Sequence, residues 1–282
     1  MFKQLNFVTL KYICFVVILG ALIFSGLDLY KNYSGEKNVD KINETLTNIL
    51  DDYDFIEEPD NNNNNNEEIE YIDIIENEED DDTTTTPSEP SSYYTEYNQL
   101  FEELTAINDE TVGWLTVNNT QVNYPVVQHT DNDYYLKRDF NKKKNAFGWV
   151  YMDYRNNIYN LSNNTIIMGH NLKNGMIFGT LRYATNESWY TNPENQIITF
   201  NTKVKNMKWQ IFSIYKIPVT NDYLYANFGD LDEFQEFLNK IRGRSIYNFG
   251  IDVSKNDHIL TLTTCGKTSA TRLVIHAVLI EE

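Results

Sequence analysis

Cysteine is nearly absent from this 282-residue chain: Cys14 lies in an apolar run and Cys265 stands near the C-terminus. Two residues in such different surroundings do not make a disulfide scaffold. With four histidines and no Cys-x-x-Cys or Cys/His spacing, the zinc-ligand pattern is missing as well. Basic charge is also scarce, at 23 Lys/Arg against 41 Asp/Glu, and its one dense run is Lys137-Arg138 with the lysines at 142–144. Nucleic acid needs an extended basic face, so it is excluded as a partner. Glycine (12) and proline (6) are too sparse for a collagen-like chain. What is present is apolar: 41% hydrophobic and 14% aromatic residues suffice for a sizeable core in one or two domains.

The formal charge of −18 is concentrated. Residues 31–90 hold 20 Asp/Glu against 3 Lys, so the remainder is close to neutral. That stretch also carries six consecutive asparagines at 61–66, the run Glu78-Glu79-Asp80-Asp81-Asp82 and four threonines at 83–86. Such a composition buries too little apolar surface to offset its ordering entropy, and it predicts a disordered acidic spacer over 31–92. As a flexible coil it would span roughly 5–6 Å × √60, about 40–45 Å, and hold the following domain off a membrane.

Residues 12–27 are uncharged and apolar, preceded by Lys3 and Lys11 and followed by Asp28. This predicts a membrane anchor within residues 1–30, single-pass, N-terminus inside, with the rest of the chain on the extracellular face. A cleaved leader is the competing reading, but no Ala-x-Ala-like site follows the run. Cys14 is an apolar filler within it.

From residue 93 the composition is that of a globular domain. Leu100, Phe101, Leu104 and Ile107 fall at helical spacing and open it with a short helix. Eight strand-like runs follow, at 113–117, 124–127, 148–152, 164–168, 196–200, 208–215, 258–264 and 272–279, separated by polar connections. The pattern is mainly β, a barrel or sandwich. A strong amphipathic helix at 230–241 interrupts it, with Leu231, Phe234, Leu238 and Ile241 on one stripe.

Cys265 ends the seventh run on the face shared by Thr261 and Thr263, opposite Leu260 and Leu262. Residues 266–271 then lead to Arg272, so a hairpin would bring a guanidinium beside a thiol, the setting of a reactive cysteine. Of the histidines, His170 closes an apolar strand after Gly169, which we expect to free the backbone for a turn. His276 lies about 13 Å along the strand from Arg272, at roughly 3.3 Å per residue, and reads as a core or wall residue. His129 and His258 read as surface residues.

These residues sit in motifs that resemble the sortase family of cysteine transpeptidases, and within it class B. The cysteine motif TLxTC is present as Thr261-Leu262-Thr263-Thr264-Cys265, the histidine motif as Gly169-His170-Asn171, and the arginine as Arg272 in Arg272-Leu273-Val274-Ile275-His276. Class B features are Val112-Gly113-Trp114-Leu115, Tyr124-Pro125-Val126-Val127-Gln128, Tyr134-Tyr135-Leu136 and Met152-Asp153-Tyr154-Arg155-Asn156. The resemblance implies an eight-stranded sortase-type β-barrel over 93–282, with an N-terminal helical segment and a long helix before the cysteine strand.

It further implies Cys265 as nucleophile, His170 as proton carrier and Arg272 as carbonyl and oxyanion ligand, with Thr263, Thr264 and Asn171 as candidate substrate contacts. No metal or organic cofactor is implied. The implied partners are surface proteins with a C-terminal NPxTx-like sorting signal and an amine of peptidoglycan or its lipid-linked precursor, met at the membrane. A cysteine peptidase acting mainly as a hydrolase, or a non-enzymatic tethered binding module, are the alternatives.

Overall fold

The structure, a computed structural model, describes the backbone of residues 7–53, 92–265 and 270–281. Eight strands close a barrel: β1 (Thr111–Val117), β2 (Asn123–Val127), β3 (Tyr151–Met152), β4 (Asn164–His170), β5 (Ile197–Thr202), β6 (Lys208–Pro218), β7 (Ile259–Cys265) and β8 (Thr271–Glu281). Around the barrel they run β1-β2-β3-β4-β7-β8-β6-β5. β4 and β7, distant in sequence, pair parallel at its centre, and β7 and β8 pair antiparallel. Closure leaves no free sheet edge among the described strands, which explains how strands as short as β3 persist.

All eight expected runs carry strands. The third is shortened because residues 148–150 leave the ladder: Trp149 N–H donates to the Tyr135 carbonyl at 3.0 Å, and its indole N–H donates to Pro125 at 2.9 Å. Alternation along the strands divides two apolar clusters. Leu260, Leu262, Ile275 and Ala277 fill the barrel with Leu115, Phe200 and Trp209. On the outer face Ile259, Val274 and Val278 meet Phe234, Phe237, Leu238 and Ile241 of α4 (Leu231–Gly243), the fourth helix after α1 (Phe7–Asp51), α2 (Ser92–Ile107) and the single turn α3 (Glu187–Tyr190).

The start of α4 follows from its sequence. Asp230 caps it by accepting from the Asp232 and Glu233 amides at 2.9 and 2.8 Å, and Glu233 reaches back to the Gly229 amide at 2.8 Å. Leu231, expected on the buried stripe, is exposed, and Phe237 takes its place beneath the helix. A first-turn residue stands beyond the edge of the surface the helix covers.

One expectation is corrected. α1 does not end near residue 30: it continues to Asp51, so residues 31–51 of the expected spacer are helical. Val39, Ile42 and Leu46 are buried in the main core, with Ile49, Leu50 and Tyr53 packed beside them. Averaging charge over the whole acidic stretch concealed this amphipathic repeat at i, i+3 and i+7. The rest of the expected spacer, residues 54–91, lies outside the described residues.

Candidate active site

Strand register builds the site. In the parallel β4–β7 ladder Asn164 pairs with Ile259 and His170 with Cys265; in the β7–β8 ladder Thr261 pairs with His276 and Thr263 with Val274. The Leu273 amide donates to Thr264 Oγ1 at 3.1 Å, so continuing that register by two residues sets Arg272 opposite Cys265. Positions 170, 265 and 272 thus form one row across three adjacent strands. Neighbouring strands lie about 4.8 Å apart, so the backbones at 170 and 272 flank that at 265 at close range. The residues are 95 positions apart in one direction and seven in the other, and only barrel closure makes them neighbours.

His170 is oriented by a turn that sequence reading assigned no role. Its Nε2 lies 2.9 Å from the carbonyl oxygen of Leu136, in the 3₁₀ turn Tyr135–Lys137. A carbonyl only accepts, so Nε2 carries the hydrogen and Nδ1 is the nitrogen whose proton can come and go. The turn is itself held. Tyr135 donates its hydroxyl to Glu110 at 2.5 Å, and buried Asn108 donates to that hydroxyl at 2.9 Å and to the Phe140 carbonyl at 2.7 Å. Burial and the Glu110 hydrogen bond push the Tyr135 phenol far above its ordinary range, so it remains a donor.

Gly148 lets the imidazole sit there. Its φ is +62°, and a Cβ on it would lie 2.6 Å from the Tyr135 carbonyl oxygen and 2.8 Å from His170 Cδ2. Only a residue without a side chain meets both conditions. The positive φ is invisible in sequence, where Phe147-Gly148-Trp149 reads simply as the start of a strand. Gly169, by contrast, stays within β4 rather than turning; Phe178 and Ile177 pack where its Cβ would be. The chain turns after His170, whose carbonyl accepts from the Phe178 amide at 3.0 Å.

The other candidate residues fall in different settings. Asn171 is exposed at the rim, directly after His170. Arg272 is half-buried, and its Nη1 donates to the Thr271 carbonyl at 3.4 Å. Thr263 and Thr264 are buried wall residues: the Thr263 hydroxyl pairs with Tyr223 at 3.1 Å, and Thr264 accepts from Leu273. Neither hydroxyl is presented to solvent, and this displaces the expectation that they contact a peptide. The Cys265 side chain and residues 266–269 lie outside the described residues.

The remaining histidines support the wall. His276 is fully buried between Thr261 (Nδ1 to Oγ1, 2.8 Å) and Tyr215 (Nε2 to hydroxyl, 2.9 Å), and Thr261 in turn donates to Asn164 at 2.7 Å. Burial, reinforced by the Arg244 charge, holds its pKa down to about 3. His129 is half-buried rather than a free surface group, bound to Glu110 at 2.5 Å and stacked on Tyr134. His258 meets the Ser162 carbonyl at 2.9 Å. Among the described residues no group of three or more His, Cys, Asp or Glu side chains is arranged to hold a metal.

The described residues form a closed eight-stranded barrel with histidine, cysteine and arginine positions in one row across β4, β7 and β8. The model of the sortase domain matches residues 115–280, and the chain belongs to the sortase family. Its similarity is to class B members. Sortase B of Staphylococcus aureus is 35% identical over 165 residues, 58% of this chain and 67% of that protein; sortase B of Listeria monocytogenes is 34% identical over 171 residues, 60% and 68%. The solved sortase B–substrate complex of S. aureus superposes with a TM-score of 0.62 at 33% identity, covering 65% of this chain and 86% of that one. The chain is accordingly a class B cysteine transpeptidase acting on surface proteins.

Proposed function

We propose that residues 93–282 cleave an NPxTx-like sorting signal after its threonine and transfer the acyl group to an amine of peptidoglycan or its lipid-linked precursor. The domain would act from the outer face of a membrane spanned within residues 1–30. The observation that carries the catalytic part is the single row of His170, Cys265 and Arg272 across β4, β7 and β8. The apolar residues 12–27 of α1, all of them exposed, support the anchor.

In this reading the Cys265 thiolate bonds to the threonine carbonyl carbon and the oxygen takes up negative charge facing Arg272, a fixed cation aimed where charge develops. The C–N bond breaks as His170 Nδ1 protonates the departing amine, leaving a thioester. The acceptor amine then attacks, gives its proton to His170, and the C–S bond breaks to restore the thiolate. From ordinary pKa values of about 8.5 and 6.5, an uncoupled thiol and imidazole at pH 7 are both ionised on the order of one per cent of the time. Either that small fraction carries the reaction or the Arg272 charge stabilises the thiolate. Asn171 is exposed directly after His170, which supports a contact with the peptide.

The test uses quenched NPQTN-like and LPxTG-like peptides, with and without an amine. Amine-dependent ligation of the NPxTx peptide, abolished by Cys265→Ala, is expected. Cleavage that survives the substitution refutes the mechanism, and cleavage without ligation at saturating amine favours a hydrolase.

A further inference from the structure

The second half of α1 lies on the barrel, and the contacts have a direction. At its start the Gly35 carbonyl accepts from Asn145 at 3.2 Å, a Cβ on Gly35 would stand 3.0 Å from the Phe147 ring, and Glu36 accepts from Asn174 at 2.9 Å. Asn38 donates to Asp139 at 2.7 Å, and Val39, Ile42 and Leu46 then enter the core. At the far end Tyr53 donates to Glu103 of α2 at 2.6 Å. The early contacts are the catalytic end of the barrel: Phe147 precedes Gly148, which packs on the His170 ring, and Asn174 lies in the loop that follows His170.

The apolar run ends at Leu27, eight residues before Gly35 on the same unbroken helix. At 1.5 Å per residue that is about 12 Å. A helix of this kind transmits position and orientation, whereas a flexible segment transmits neither.

Resting on the membrane reading of residues 12–27, we propose that α1 is a rigid strut that holds the catalytic end of the barrel toward the lipid surface. Residues 54–91 are then not in line between membrane and enzyme. They join Tyr53, which bonds to Glu103 of α2, to the start of that helix, and α2 also packs on the barrel. The arrangement brings the row at 170, 265 and 272 within reach of an amine carried on a lipid headgroup. A 40–45 Å coil in that place would leave the height of the site undefined.

The full chain in lipid vesicles decides this by energy transfer from a dye at the exposed Lys173→Cys, in a Cys14→Ser, Cys265→Ala background, to an acceptor in the bilayer. Deleting residues 60–85 is expected to leave transfer unchanged, and inserting ten Gly/Ser residues after Asn32, before the docked half, to lower it at least twofold. Increased transfer on deletion, or unchanged transfer on insertion, overturns the strut. Both length changes are repeated with Cys265 intact, where cleavage of soluble peptide at the parental rate shows the barrel is folded. Vesicle flotation is scored separately: if the parental chain does not float, the membrane reading itself fails, which neither length change could mimic.

Discussion

Gly148→Ala is the sharpest probe of how His170 is set. The backbone at 148 has φ +62°, where an L-residue costs about 1–2 kcal/mol, and the new methyl carbon would lie 2.6 Å from the Tyr135 oxygen and 2.8 Å from His170 Cδ2. Real Cβ contacts do not occur at such distances. The 2.6 Å contact is with the turn and the 2.8 Å contact with the ring, so both must give, and the 2.9 Å bond between the imidazole and Leu136 is displaced. Misplacing a catalytic group by up to about 1 Å costs as much as 10²-fold, so kcat should fall about 10- to 100-fold with KM changed less than about threefold. The stability loss of about 1–2 kcal/mol leaves a domain of ordinary stability folded. Steady-state ligation of an NPxTx peptide and a thermal melt measure both quantities. Gly148→Asn separates the causes, since Asn tolerates left-handed backbone but carries the same Cβ: it should recover the part of the stability loss that comes from φ, and not activity. A Gly148→Ala enzyme with kcat within twofold of the parent refutes the argument.

Three further outcomes follow from the same geometry. His276 is neutral when folded and titrates near 6.5 when unfolded, so the unfolded state binds more protons below that pH; stability is full above pH 6.5 and falls toward pH 3 by up to about 1.4 kcal/mol per unit. Urea melts between pH 8 and 4 should show this slope and His276→Gln should flatten it; parallel curves for the two proteins contradict it. Arg272→Lys keeps the charge but loses the planar fork, and is expected to reduce kcat/KM at least tenfold while leaving the melting temperature within about 2 °C; a fully active lysine variant would mean that charge alone suffices. Asp230→Ala removes both capping bonds of α4 and should cost about 1 kcal/mol in chemical denaturation with unchanged ligation, because the bonds lie in the first turn of a helix that covers the outer apolar cluster.

Periodicity and local chemistry were enough to read much of this protein before any coordinates. Alternating runs located all eight strands, the apolar stripe and Asp230 located α4, and the order of His170, Cys265 and Arg272 in their motifs pointed to the class of chemistry. All of these are short-range properties, fixed within one element by geometry that repeats every two or every 3.6 residues.

Tertiary structure decided the rest, because the deciding contacts join segments that carry no local mark of one another. The parallel pairing of β4 with β7 aligns His170 with Cys265 across 95 residues. The Leu136 carbonyl is a backbone atom, identical in every residue, and becomes the imidazole's partner only when the Tyr135–Lys137 turn folds over β4. Thr263 and Thr264 looked available to a peptide because a hydroxyl near a nucleophile has no visible partner in sequence; Tyr223 and the Leu273 amide supply one. Residues 31–51 read as solvated by their charge, yet three apolar side chains on one helical face dock on a surface that exists only once the barrel has closed. Burial is a property of two surfaces meeting, and a chain read one residue at a time contains only one of them.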